Sequence, residues 1–204
     1  MIGMDDMLGL ILAGGRATRM GGGDKGRLAL GSATLVESVI GRLKPQVGAL
    51  ALSANGDPAR FADLGLPVVA DSMPGQPGPL AGILAGMDLA AREGRSHVLS
   101  AAADTPFLPP DLAQRLSAGL SEAPVVMAAS AGTGRPIRQP VIGLWPVALR
   151  EDLRAALNEG VSKVGLWAGR HGVVLAVWPT DPVDPFFNVN TPEDLAIARQ
   201  IARG

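Results

Sequence analysis

The sequence predicts an α/β fold with a mostly parallel central sheet and helices on both faces. Three observations predict it. Short apolar runs alternate with amphipathic helical patterns along the chain, as a sheet covered on both sides requires. The first run, residues 7–13, opens directly into a glycine-rich stretch that reaches Lys25. Later runs end on single polar residues, Asn55, Asp71 and Asp104, at what would be the carboxyl edge of the sheet, where such folds bind ligands. A length of 204 residues suits one domain covering residues 1–204.

Each element has a local reason. Residues 7–13 read as a buried strand. Thr34-Leu35-Val36-Glu37 has the capping-box pattern. Leu35, Val36, Val39, Ile40 and Leu43 then share one helical face, and Pro45 ends the helix. Residues 47–53 form the second strand, closing on the turn signal Asn55-Gly56-Asp57. A short helix over 59–64 and a third strand over 66–70 follow. Residues 71–79 are too rich in Pro and Gly for regular structure. The next helix sets Leu80, Ile83, Leu84 and Met87 on one face. Residues 97–103 form the fourth strand, and 105–110 a bend. Pro110-Asp111 start a helix carrying Leu112, Leu116 and Leu120.

Residues 125–129 form the fifth strand, 131–139 a polar loop with Arg135 and Arg138, and 141–145 the sixth strand. A helix then carries Leu149, Leu153 and Leu157, and a shorter one spans 164–171. Residues 173–178 form the seventh strand. Thr191 caps the last helix, with Pro192 at its first position and Glu193 and Asp194 in its first turn.

Composition narrows the function. A net charge of −1 implies no broad basic surface, so nucleic acid is not an expected partner and any phosphate binding is local. The absence of cysteine removes disulfides, thiolate catalysis and cysteine-bound zinc. His97 and His171 are isolated and, with the three tryptophans, read as structural. No signal peptide begins the sequence, and no apolar run reaches the ~20 residues of a membrane span. The expectation is a soluble cytoplasmic monomer with no membrane partner.

The stretch Leu12-Ala13-Gly14-Gly15-Arg16-Ala17-Thr18-Arg19-Met20-Gly21-Gly22-Gly23-Asp24-Lys25 reads as a triphosphate cradle. Glycines let backbone N–H groups approach a ligand, and Arg19 and Lys25 supply charge for phosphate oxygens. Arg16 is a weaker candidate, and a surface turn is the plain alternative. The stretch is not a Walker A loop, because Lys25 lies between Asp24 and Gly26. Nor does Gly14-Gly15-Arg16 supply the dinucleotide fingerprint. Asp104 fits either a magnesium ligand or a turn-forming aspartate. Asn55 fits either a ligand contact or an Asn-Gly turn. Arg135, Arg138 and Lys163 rest on position alone, and solvated surface charge is the simpler reading for each.

The long glycine stretch resembles the signature L-A-G-G-x-x-x-R-M-G-G-x-D-K of the molybdenum cofactor guanylyltransferases and matches every fixed position. Gly78-Pro79-Leu80-Ala81-Gly82, Asp104-Thr105-Pro106-Phe107-Leu108-Pro109 and Phe187-Asn188-Val189-Asn190-Thr191-Pro192-Glu193-Asp194-Leu195 resemble further segments of that family. The resemblance departs where Gln139, rather than His, precedes Pro140-Val141, and where Val161-Ser162-Lys163 replaces paired arginines.

The resemblance implies a Rossmann-like three-layer nucleotidyltransferase fold. It implies transfer of GMP from GTP to the terminal phosphate of molybdenum-molybdopterin, with release of pyrophosphate. It assigns catalysis to Arg19, Lys25 and Asp104, and GTP binding to Leu12, Ala13, Gly14, Gly15, Lys25, Asn55, Asp71, Gly78, Gly82 and Asp104. Asp104 would hold Mg²⁺, with Mn²⁺ able to substitute. Asn188 and Asn190 would face the acceptor. Molybdoenzyme chaperones or other cofactor-biosynthesis proteins would receive the product. The alternatives are a CTP-dependent molybdopterin cytidylyltransferase, a sugar-phosphate nucleotidyltransferase and a non-catalytic nucleotide-binding regulator. Gly14-Gly15 favours guanine, since the related cytidylyltransferases generally read L-A-A-G.

Overall fold

The computed structural model describes residues 2–14, 24–73 and 78–203. Its centre is a seven-stranded sheet. The strands are β1 (Met7–Leu12), β4 (Ala49–Ser53), β5 (Val68–Val69), β6 (His97–Ala102), β7 (Val125–Ser130), β8 (Ile137–Pro146) and β9 (Val173–Trp178). A separate small hairpin joins β2 (Ala29–Leu30) to β3 (Ala33–Thr34). The order across the sheet is β5-β4-β1-β6-β8-β7-β9. β1 lies parallel to β4 and β6, and β7 lies parallel to β9.

β8 runs against both neighbours. Only residues 131–136 connect it to β7, and a parallel return needs a crossover of about a dozen residues or more. The short connection therefore forces the reversal. β8 also begins before the expected strand. Ile137 and Arg138 pair with Ser130 and Ala129, within what reads as a polar loop. Both side chains are exposed, so this overhang lacks the apolar alternation that marks a half-buried strand.

Helices cover both faces. α1 (Leu35–Leu43) and α3 (Leu112–Gly119) pack on one, burying Val36, Val39, Leu43, Leu112 and Leu116 against Ile11, Leu52 and Leu99. α2 (Pro79–Arg92), α4 (Arg150–Asn158) and α5 (Val164–Ala168) pack on the other, burying Ile83, Met87, Leu153 and Trp167 against Leu8, Leu10 and Trp145. Leu8 and Leu10 serve one layer and Met7 and Ile11 the other, as the two-residue period of a strand dictates. α6 (Pro192–Ile201) packs Leu195 and Ala198 on Leu30 and Leu35.

The expected capping box forms, with Glu37 N–H donating to Thr34 Oγ1. Residues 58–64 wind as a 3-10 helix, and the third strand shortens to Val68–Val69. The helix expected through Leu149 divides into a 3-10 turn, Val147–Leu149, and α4. α5 stops at Ala168, three residues before His171. Among the described residues, no helix is long and apolar enough to cross a membrane.

One buried polar contact locks β8 beside β6. Ser100, fully buried, accepts from Trp145 Nε1 at 2.7 Å and donates to the Val141 carbonyl at 2.7 Å. Ser100→Ala should leave that indole N–H unpaired and destabilise the protein by about 1–3 kcal/mol. Urea unfolding midpoints check this; an unchanged midpoint would remove the contact from the account.

Candidate active site

A cavity of about 390 Å³ opens at the carboxyl edge of the sheet. Leu12, Ala13 and Gly14 follow β1, and Ser53, Ala54 and Asn55 end β4. Ala102, Ala103 and Asp104 end β6. Asp71, Gly78, Pro79 and Gly82 form the approach to α2, and Lys25, Gly26, Val141 and Asn188 close the rim. Nine of the ten predicted nucleotide residues therefore meet in one place, as does Asn188. The tenth, Gly15, lies outside the described residues together with Arg16 and Arg19.

Lys25 is the hub. It is only 8% exposed. Its ammonium donates to Asp104 Oδ2 at 2.6 Å, Asn190 Oδ1 at 2.6 Å and Asn188 Oδ1 at 3.4 Å. An ammonium carries three hydrogens, and three oxygens take them. Asn190 thus reaches the site through Lys25 although it does not line the cavity. The far segment is also clipped on by backbone, since Val189 N–H donates to the Asp104 carbonyl at 3.0 Å.

Asn55 and Asp71 form a reciprocal pair across the cavity mouth. Asn55 Nδ2 donates to Asp71 Oδ2 at 2.6 Å, and Asp71 N–H donates to Asn55 Oδ1 at 2.9 Å. Asn55 lines the cavity, and its side chain ties the end of β4 to Asp71. Gly78 has φ +140°, a conformation that favours glycine, at the start of α2. Gly82 lets that helix lie close to the sheet, since a Cβ there would sit 2.7 Å from Ser53 Oγ.

Ser53, Gly26 and Val141 line the cavity without having been singled out by sequence. Ser53 carries a legible signal, a polar residue at the end of an apolar run. Gly26 carries none, but a Cβ there would press on Ala103 and Val36 at 3.2 Å. Arg135, Arg138 and Lys163 do not line the cavity. His97 lies at the opposite end of β6, its pKa lowered by burial. His171 bonds Asp152 at 2.8 Å beside Trp167.

The sequence matches the family model described as a MobA-like NTP transferase domain over residues 9–171. A molybdenum cofactor guanylyltransferase of Nitrobacter hamburgensis is 52% identical over 197 residues, 95% of this chain and 93% of the relative. One from Cereibacter sphaeroides is 51% identical, covering 97% of each chain.

The chain belongs to the molybdenum cofactor guanylyltransferase family.

The fold agrees with that membership. Molybdopterin-guanine dinucleotide biosynthesis protein A from Archaeoglobus fulgidus superposes with a TM-score of 0.73 at 24% identity, covering 97% of this chain and 99% of that one. A 4-diphosphocytidyl-2C-methyl-D-erythritol synthase from Anaerococcus prevotii gives 0.76 at 12% identity, covering 99% and 100%. At such identities the match is one of fold alone.

Membership in this family raises the question of a divalent ion, and the donor set suits one of limited protein ligation. No cluster of three or more His, Cys, Asp or Glu occurs among the described residues. Asp104 Oδ1 is buried without a hydrogen-bond partner. A single carboxylate oxygen aimed into the cavity fits Mg²⁺, which commonly takes one or two carboxylates and completes its shell with phosphate and water.

The segment holding Asn188 and Asn190 is fixed by the first turn of α6. Asp194 accepts from the N–H groups of Asn190 and Thr191, both at 2.9 Å, and its own N–H donates to Thr191 Oγ1. The Asn190 bond foremost, then those of Thr191, holds the Asp194 carboxyl below its ordinary value. A depressed carboxylate pKa stabilises the fold above the unfolded value, and this is lost as pH falls through the folded one. Asp194→Asn should therefore cost up to about 1 kcal/mol at pH 7, as for an exposed cap. The difference from the unmutated chain should shrink toward pH 3. Urea unfolding at the two pH values checks it; a gap independent of pH would contradict the capping role.

Proposed function

We propose that the chain transfers GMP from GTP to the terminal phosphate of molybdenum-molybdopterin. The products are the molybdopterin guanine dinucleotide cofactor and pyrophosphate. The observation that carries the reading is the meeting of Lys25 and Asp104 beside the Leu12–Gly14 segment, at one end of a cavity whose other end holds Asn55 and Asp71. Residues 1–204 act here as one nucleotidyltransferase domain.

An oxygen of the acceptor phosphate forms a bond to the α-phosphorus of GTP. The bond from that phosphorus to the α,β-bridging oxygen breaks, and its electron pair leaves with pyrophosphate. The nucleophile is already ionised near neutral pH, so the chain need not supply a strong base. Positioning and charge stabilisation carry the rate. Backbone N–H groups after β1 hold the triphosphate. Arg19 and Lys25 balance the charge on the leaving group. Mg²⁺, or Mn²⁺ in its place, would be held by Asp104 and would screen the phosphate oxygens.

Lys25 has a double role in this reading. Its ammonium pairs with Asp104 in the structure. When the triphosphate enters, the ammonium turns to phosphate oxygens and releases the carboxylate. Asn188 and Asn190, released with it, face the acceptor.

Donors and space support the base assignment. Asp71 Oδ2 accepts from Asn55, which leaves Oδ1 for N–H donors of the base. Guanine offers two adjacent donors on its pairing edge and cytosine a single amino group. Gly14 lines the cavity, and among the described residues nothing lies within 4 Å of a Cβ placed there, which supports room for a purine.

Calorimetric titration with GTP and CTP, coupled to a pyrophosphate-release assay with magnesium and molybdopterin, tests the reading. GTP should bind more tightly, and release should require the acceptor. Asp104→Asn should lower turnover by about 100-fold or more while the fold persists. Tighter binding of CTP would overturn the base assignment, and full turnover in the variant would remove Asp104 from the chemistry.

A further inference from the structure

Outside the cavity, one side chain joins the two segments that form its ends. Arg60 lies in the 3-10 helix Pro58–Leu64. Its Nη1 is 3.4 Å from Oδ1 of Asp24, the residue before Lys25. Its Nη2 donates to the Asn55 carbonyl at 2.7 Å. Its guanidinium carbon stands 4.9 Å from the centre of the Phe61 ring, which is 1% exposed and also carries the Arg27 guanidinium at 5.1 Å. Arg27 in turn donates to Asp63 and to the Arg60 carbonyl.

A continuous path results. It runs from Asp24 through Arg60 to the Asn55 backbone, and through the Asn55 side chain to Asp71. One end is the segment carrying Lys25, and the other is Asp71, whose free oxygen is assigned to the base. Arg60 does not line the cavity, so it acts through its neighbours.

We propose that Arg60 is a positioning residue that holds the phosphate end of the site in register with its base end, so that a nucleoside triphosphate meets both ends preformed. This rests on the reading of the cavity as a nucleoside triphosphate site. Arginine suits the task for a geometric reason. Its planar fork reaches two acceptors at once while its face lies on an aromatic ring, and a lysine ammonium does not combine these. Holding two subsites in place before binding removes an ordering cost that the ligand would otherwise bear. The gain appears for a ligand that spans both ends and not for one that touches a single end.

The test uses the full chain and its variants R60Q, R60K, D24N and R60Q/D24N. R170Q, which removes an exposed partner of Glu159, serves as a charge control. GTP with magnesium, guanosine and inorganic tripolyphosphate are the probes, in titration and, for GTP, in steady-state turnover. R60Q should raise Kd and KM for GTP about tenfold, with kcat within about twofold. Guanosine and tripolyphosphate, each touching one end, should weaken less than about twofold. R60K should not rescue, R60Q/D24N should be no worse than R60Q, and R170Q should match the unmutated chain.

An unchanged KM, rescue by lysine, additive loss with D24N, or equal loss for all three probes would overturn the proposal. Should R60Q fail to fold, D24N, which leaves the Phe61 stack intact, carries the test by the same criteria. If the unmutated chain binds another nucleoside triphosphate in place of GTP, the guanine assignment falls. Arg60 is then judged in the same way with that nucleotide.

Discussion

The site depends on one buried cation. Lys25 brings a largely buried ammonium to the rim of the cavity, and such a charge is tolerated only when its hydrogens find oxygens. Asp104, Asn188 and Asn190 provide them. The three partners lie 79, 163 and 165 positions further along the chain. One side chain therefore pins the turn at Lys25–Arg27 to the end of β6 and to the approach of α6. The same bonds pair the Asp104 carboxylate with the ammonium.

The sheet makes this meeting possible. β4, β1 and β6 are parallel neighbours, so their carboxyl ends open on the same edge. That puts Asn55, Gly14 and Asp104 in one row, and the adjacent loops only have to close over it. β8, reversed by its short connection to β7, contributes Val141 as one wall. Gly82 and Gly26 act by what they lack, allowing α2 and the Lys25 turn to approach the strand ends.

Much of this was legible in the sequence because it is written locally. β1, α1, α2, β6, β9 and the Thr191 cap follow from periodicity and capping residues, which need only near neighbours. The glycine-rich stretch and Asp104 were legible as motif and strand end. What escaped depends on distant partners. The overhang at Ile137 is a strand because Ser130 and Ala129 pair with it, although its side chains face solvent. The β2–β3 hairpin consists of two residues on each strand, too short for a period to show. Arg60 looks like any exposed helix cation, and its meaning comes from Asp24 and from a carbonyl, which no residue pattern encodes. Gly15 and Arg19 belong to the motif but lie outside the described residues.

The central claim is that a triphosphate and a divalent ion lie between the end of β1 and Asp104, with Lys25 moving from the carboxylate to the phosphates. A crystal soaked with GTP and Mn²⁺, with data collected at the manganese absorption edge, tests it most directly. The account predicts an anomalous peak within coordination distance of Asp104, about 2.0–2.3 Å, with Lys25 Nζ on a phosphate oxygen. Nucleotide bound elsewhere, or bound with the Lys25–Asp104 pair intact and no manganese beside it, would contradict it.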